Sequence, residues 1–223
     1  MKKNKEGLFR NFDYSFVSKI IGGIVILTSL VVMFGWFLDI GVLKSILPGW
    51  VSMKFITALC FLFSGVLILL ISFSKENEVI KIIVGIISFA LVSLMCIFFL
   101  SLFFGISTGI ESLFVKDVVG AVATSVPGVP AVPTILCFIF IGICGIIFYK
   151  NFKNSREFLI FGILILVISG IAILGYLFSN PFLYYRWGER FTAMALHTAI
   201  LFTFIGISFI FNGIKNKLEK KEK

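Results

Sequence analysis

Six stretches of this chain carry no charge: Ile20 to Leu38, Phe55 to Ser74, Ile82 to Ile110, Val118 to Tyr149, Phe158 to Tyr185 and Phe191 to Ile214. Each is long enough to cross a hydrocarbon layer of about 30 Å at about 1.5 Å per helical residue. Backbone polar groups in lipid need internal partners, which admits helices or a closed barrel. Stretches this uniformly apolar lack the alternation of barrel strands, so a helix bundle is expected. A mean hydropathy of +1.10, with 59% hydrophobic and 14% charged residues, excludes an ordinary soluble domain. The spacing predicts spans over 17–38, 55–74, 79–104, 134–150, 158–179 and 194–213.

A pattern recurs at the start of every second span: Thr57-Ala-Leu-Cys-Phe-Leu-Phe-Ser-Gly65, Thr134-Ile-Leu-Cys-Phe-Ile-Phe-Ile-Gly142 and Thr198-Ala-Ile-Leu-Phe-Thr-Phe-Ile-Gly206. Each copy follows a loop with Pro or Gly and a preceding apolar span, so the repeating unit reads as a membrane hairpin. The expected fold is all-α, with six transmembrane helices from three two-helix hairpin repeats in a pseudo-threefold arrangement. The division is a basic interfacial leader 1–19, hairpin repeats 20–78, 79–154 and 155–213, and a basic tail 214–223. In the leader, Phe9, Phe12 and Phe16 share a helical face suited to the headgroup region. The first span has no small-residue cleavage site after it and reads as retained rather than as a signal peptide.

Lys and Arg set the orientation. With the N-terminus inside, fifteen fall on the inner side and five on the outer, which predicts a multi-pass protein of the cell membrane with both termini cytoplasmic. The net charge of +9 then serves anionic membrane lipids, and nucleic-acid binding is excluded. Cys60, Cys96, Cys137 and Cys144 all fall in spans, without a C-x-x-C pair, and read as small buried hydrophobes.

Within each motif Thr, Phe and Gly are spaced i, i+4, i+8 and share one helix stripe, Thr outermost. The stripe admits two readings: a helix seam built on small residues, or a seam whose threonines converge and floor an outward-facing pocket. Trp36, Trp50, Tyr176, Tyr184, Tyr185 and Trp187 collect at the outer level, either as an interfacial belt or as the wall of a site. The second outer loop, 105–133, is the longest and is expected to fold over the bundle. His197, the one histidine, stands at the mouth of the sixth span; it is read either as structural or as a ligand contact. Met53 and Met194 are equivalent in the first and third units, so a His/Met cluster for haem or Cu(I) is a further alternative. The outer charges Asp39, Glu111, Asp117, Arg186, Glu189 and Arg190 read as surface pairs or as readers of a polar ligand.

The segments Gly35-Trp-Phe-Leu-Asp-Ile, Ile46-Leu-Pro-Gly-Trp-Val-Ser-Met53 and Thr57-Ala-Leu-Cys-Phe resemble the N-terminal multi-span membrane sensory region of prokaryotic histidine kinases and diguanylate cyclases, where it precedes PAS or GGDEF domains. Phe104–Asp117 with Thr124-Ser-Val-Pro-Gly128, then Gly175-Tyr-Leu-Phe and Met194-Ala-Leu-His-Thr-Ala199, resemble later parts of it in the same order. The resemblance implies an input module whose signal leaves through the last helix. The twelve residues Asn212–Lys223 are too few for an output domain, which implies a truncated module or one that signals through a partner.

Catalytic signatures such as paired carboxylates, G-x-S-x-G, H-E-x-x-H and phosphate-binding Gly loops are missing, and no enzyme activity is expected. The mitochondrial-carrier signature is missing from the odd spans, and ionisable groups are missing from mid-membrane depth. The expected function is a sensor for a small apolar or aromatic ligand, lipid- or quinone-like, bound from the outer side. His197, Thr198, Thr57, Thr134, Trp36, Trp50 and Tyr184 are the candidate ligand-binding residues. No cofactor is named. The expected partners are membrane lipids, the ligand, and a cytoplasmic signalling partner or a second copy of the chain. The alternatives are a small-solute transporter or channel and a haem- or metal-binding membrane protein.

Overall fold

The computed structural model describes residues 13–47, 49–73, 77–115, 122–124, 126–151, 155–186 and 192–221. Six helices among them are long and apolar enough to cross a membrane. They are α1 (Tyr14–Phe37), α3 (Phe55–Phe73), α4 (Glu78–Phe104), α5 (Val132–Lys150), α6 (Ser155–Leu177) and α7 (Leu196–Lys221), with a one-turn α2 (Gly41–Lys44) and a 3-10 turn (Ile110–Ser112) in the loops at one end, which is called outer after the expected orientation. The described residues contain no strand. The chain is an all-helical, multi-pass membrane protein.

Local chemistry sets the helix ends. Asp13 caps α1, its carboxylate accepting from the Phe16 N–H at 2.9 Å. Asn77 caps α4 by accepting from Val79 and Ile80. In α5, Pro133 occupies the first turn, where its missing N–H has no consequence. α1, α4 and α6 all stop in one way: Asp39, Gly105 and Ser179 adopt left-handed φ of 56°, 65° and 51°. The N–H after each, on Ile40, Ile106 and Asn180, then reaches back to the carbonyl of Gly35, Ser101 and Gly175 at 2.8, 3.1 and 2.8 Å.

Consecutive long helices pack most closely as α1 on α3, α4 on α5 and α6 on α7, with α1 also against α7 and α3 against both α5 and α7. The motif glycines lie at points of close backbone approach within those pairs. A methyl group on Gly65 would stand 3.0 Å from the Gly22 carbonyl oxygen, on Gly142 3.0 Å from that of Ser88, and on Gly206 2.9 Å from that of Gly162. The same methyls would meet Ile26, Val92 and Leu166, each four residues further along the partner helix. Without a hydrophobic drive between helices in lipid, this close backbone approach is what holds a pair together.

Phe61, Phe138 and Phe202, the motif phenylalanines of α3, α5 and α7, meet in the interior, with ring centroids 4.9 Å (61–138), 4.7 Å (61–202) and 4.9 Å (138–202) apart. All three are fully buried. The other faces of α1, α4 and α6 turn Leu27, Phe34, Ile86, Phe89, Ile163 and Val167 outward, where lipid would stand.

Three expectations change. Helix α1 begins at Tyr14, because Asp13 supplies the cap, so Phe16 and Lys19 belong to the first span; Phe9 and Phe12 lie outside the described residues. Helix α7 runs through most of the expected tail to Lys221, since Lys, Leu and Glu there favour helix. Cys96 is exposed on the outer face of α4, while Cys60, Cys137 and Cys144 are buried as expected.

The glycine contacts yield a paired prediction. Gly142→Ala drives a methyl to 2.5 Å from Val92 Cγ2 and 3.0 Å from backbone, whereas Gly23 has nothing within 4 Å. In a detergent or nanodisc unfolding titration G142A is expected to lose about 1–3 kcal/mol, and G23A to leave the midpoint unchanged.

Candidate functional site

The outer loops build one described cavity of about 300 Å³, lined by Gly49, Trp50, Val51, Val122, Ala123, Tyr176, Ser179, Tyr184 and Arg186. Its wall joins three aromatic rings, those of Trp50, Tyr176 and Tyr184, to polar groups that include Ser179 and Arg186. Tyr184 stacks on Tyr176 with centroids 4.5 Å apart and planes 20° apart, and Trp50 leans on Tyr176 at 5.1 Å. Hydrogen bonds fix these rings: the Tyr176 hydroxyl donates to the Met194 carbonyl at 2.8 Å, and the Met194 N–H donates to the Tyr184 carbonyl at 3.0 Å.

The first outer loop repeats this construction with different side chains. Trp36 Nε1 donates to the Met53 carbonyl at 2.8 Å, and the Met53 N–H donates to the Lys44 carbonyl at 2.9 Å. The Lys44 ammonium lies 4.7 Å from the Trp36 ring centre, where the third loop has Tyr184 on Tyr176. Lys44 also pairs with Asp39 at 2.6 Å, and this contact holds the Asp39 carboxyl below its ordinary value.

The second outer loop ties the others together, as its length suggested. Lys54, almost wholly buried, donates from Nζ to Thr124 Oγ1 at 2.7 Å, and the Ala193 N–H donates to the Ala123 carbonyl at 3.0 Å. Phe114 packs against Phe55 at 5.5 Å. Gly128, at φ +77°, lies against the Glu111 carbonyl so tightly that a side chain has no room. Asp117, Trp187, Gly188, Glu189 and Arg190 lie outside the described residues.

Of the seven candidate ligand residues, Trp50 and Tyr184 line the cavity and the other five do not. Thr57, Thr134 and Thr198 are 3%, 2% and 2% exposed at the outer ends of α3, α5 and α7. Each stands one turn outward of a phenylalanine in the central ring triangle, on the same stripe. Trp36 is buried and committed to Met53. His197 occupies the register position of Ile56 and Pro133, both buried, and neither of its ring nitrogens has a partner among the described residues.

Sequence reasoning placed Tyr176, Arg186 and Lys54 at the outer level without choosing them for the site, and passed over Val51 and Ser179. The available signal was the register of the outward-running helices. Tyr176 follows Gly162 by fourteen residues as Trp36 follows Gly22, and both aromatics end as donors to a methionine carbonyl.

The described residues hold no group of three His, Cys, Asp or Glu side chains suited to a metal ion. No family model matches the chain, and no curated protein or solved structure matches it.

Two predictions follow from these side chains. His197→Ile restores the residue type of the first motif and removes a buried unpartnered imidazole, so it is expected to raise unfolding stability by about 1 kcal/mol or more; a loss would show that the imidazole is bonded in the membrane. Glu111 answers to pH. Partial burial pushes its carboxyl up, but the Ser107 and Thr108 hydroxyls and nearby backbone N–H groups outweigh this and hold it at about 2. A depressed carboxyl contributes stability that is complete above its ordinary value of 4.5 and is lost as pH falls toward 2. Hydrogen exchange across 107–112 is expected to accelerate over that window, and not to do so in Glu111→Gln.

Proposed function

We propose that this chain is a membrane sensory module, three hairpin repeats in a pseudo-threefold arrangement, lying in the cell membrane with both termini cytoplasmic. In this reading a small apolar or aromatic ligand, lipid- or quinone-like, enters the outer cavity and stacks on Trp50, Tyr176 and Tyr184. The change passes through α7 to a cytoplasmic partner or a second copy.

One observation carries this reading: both tyrosines of the cavity wall are bonded to Met194, two residues before α7 begins. A ligand that shifts the tyrosine pair acts directly on the entry of that helix. Its far end is joined to α1, where Asn212 Nδ2 donates to Ser18 Oγ at 3.1 Å and Tyr14 meets Phe211 edge-on at 5.7 Å. The orientation rests on the fifteen-to-five split of basic residues.

A channel reading is less favoured, because a conducting path along the axis would have to pass the ring triangle of Phe61, Phe138 and Phe202.

The test uses the full chain in nanodiscs with a short-chain benzoquinone as quencher of tryptophan fluorescence. Saturable quenching is expected, at least about tenfold weaker in Tyr184→Leu, with spin labels at the inner ends of α1 and α7 changing separation on binding. Quenching that rises linearly and equally in both proteins sinks the proposal, and solute flux through liposomes would replace it with the transporter reading.

A further inference from the structure

The cavity is not purely apolar at its rim. Arg186 lines it beside the stacked Tyr176 and Tyr184, and among the described residues its guanidinium meets no carboxylate. The described acids of the outer face are already engaged: Asp39 with Lys44 at 2.6 Å, and Glu111 with the hydroxyls of Ser107 and Thr108. Arg186 is exposed at the cavity rim and so offers a cation to a ligand that enters.

The first loop shows what the same architecture does with a cation of its own. There the Lys44 ammonium occupies the place over Trp36 that Tyr184 takes over Tyr176. The third loop has given up that internal cation for a second ring and keeps its positive charge at the rim on Arg186. A planar ring fits against an aromatic wall, and a planar guanidinium fork matches a carboxylate with two parallel hydrogen bonds. A volume of about 300 Å³ lies at the small end of ligand cavities and is far short of a phospholipid.

From this juxtaposition we infer that the cavity takes a small aromatic carboxylate, its ring on Tyr176 and Tyr184 and its carboxylate on Arg186. This rests on the aromatic-ligand reading above and narrows its substrate class. Arg186 sets the preference for the anion, while the tyrosines supply the ring contact.

The test measures binding of indole-3-acetate and of the uncharged 3-methylindole to the full chain in nanodiscs, with empty nanodiscs correcting for partition into lipid. Wild type is expected to bind the acid roughly ten- to a hundredfold tighter than the neutral ring, the scale of a hydrogen bond to a charged group. Arg186→Gln should bring the two affinities together with the neutral ring unchanged, and Tyr184→Leu should weaken both, with helical circular dichroism confirming that each variant is folded. Equal affinity of wild type for both probes, or an anion preference that survives R186Q, overturns the inference and leaves the aromatic site standing. Absence of binding by either probe overturns both.

Discussion

Everything above and below the middle of this bundle is positioned by three rings in contact, Phe61, Phe138 and Phe202. Lipid tails are as apolar as these side chains, so burial in the bilayer supplies no drive of the kind that closes a soluble core. What remains is shape: edge-on and tilted ring contacts at 4.7–4.9 Å set the spacing of α3, α5 and α7. Four residues deeper, Gly65, Gly142 and Gly206 let α1, α4 and α6 press in from outside. The bulky residue of the motif separates the inner helices, and the small one fastens an outer helix to each.

That division explains what could be read from the sequence and what could not. Span number and the motif stripe were legible because both follow from local composition and a 3.6-residue period, and Thr, Phe and Gly at i, i+4, i+8 share a face in any helix. The seam reading of the stripe is what the glycine contacts describe. Thr57, Thr134, Thr198 and His197 are buried at the ends of the same stripe and do not line the described cavity, to which only Trp50 and Tyr184 of the candidate residues contribute. Helix ends shifted where caps decide them: the Asp13 carboxylate moved the start of α1 to Tyr14. The cavity was hardest to see, since Trp50 of the first loop, Tyr176 at the end of α6, and Tyr184 and Arg186 of the third loop are brought together by ring contacts and by bonds of the two tyrosines to Met194.

The motif register also shows where the units differ. Lys54 stands where the other copies have Ala131 and Ala195, His197 where they have Ile56 and Pro133, and Asn212 where they have Ile71 and Phe148. All of these positions are buried. A polar group in such a place costs free energy unless something bonds it. Lys54 finds Thr124 across the outer face, and Asn212 finds Ser18 and the Ser208 carbonyl across the α1–α7 joint. Each therefore forms a specific link that its apolar counterparts cannot form.

These three substitutions sit at the ends of the stripe. Beside the ring triangle the copies also differ, with Thr203 for Leu62 and Ile139 and Ser64 for Ile141 and Ile205, but there the hydroxyls bond locally: Ser64 donates to the Cys60 carbonyl at 2.7 Å, and Thr203 bonds the Ala199 carbonyl and Ser169 Oγ, each at 3.0 Å. At the ends, loop and neighbouring-helix hydroxyls offer longer-range partners, as Thr124 does for Lys54 and Ser18 for Asn212. The phenylalanine and glycine of the stripe can then stay alike in all three units while the two ends become chemically individual. On α7 the outer end carries His197 and adjoins the tyrosine cavity through Met194, and the inner end carries Asn212. In the sensory reading proposed above, a repeated middle with distinct ends would let a displacement at one face of a membrane helix be felt at the other without unpacking the core between them.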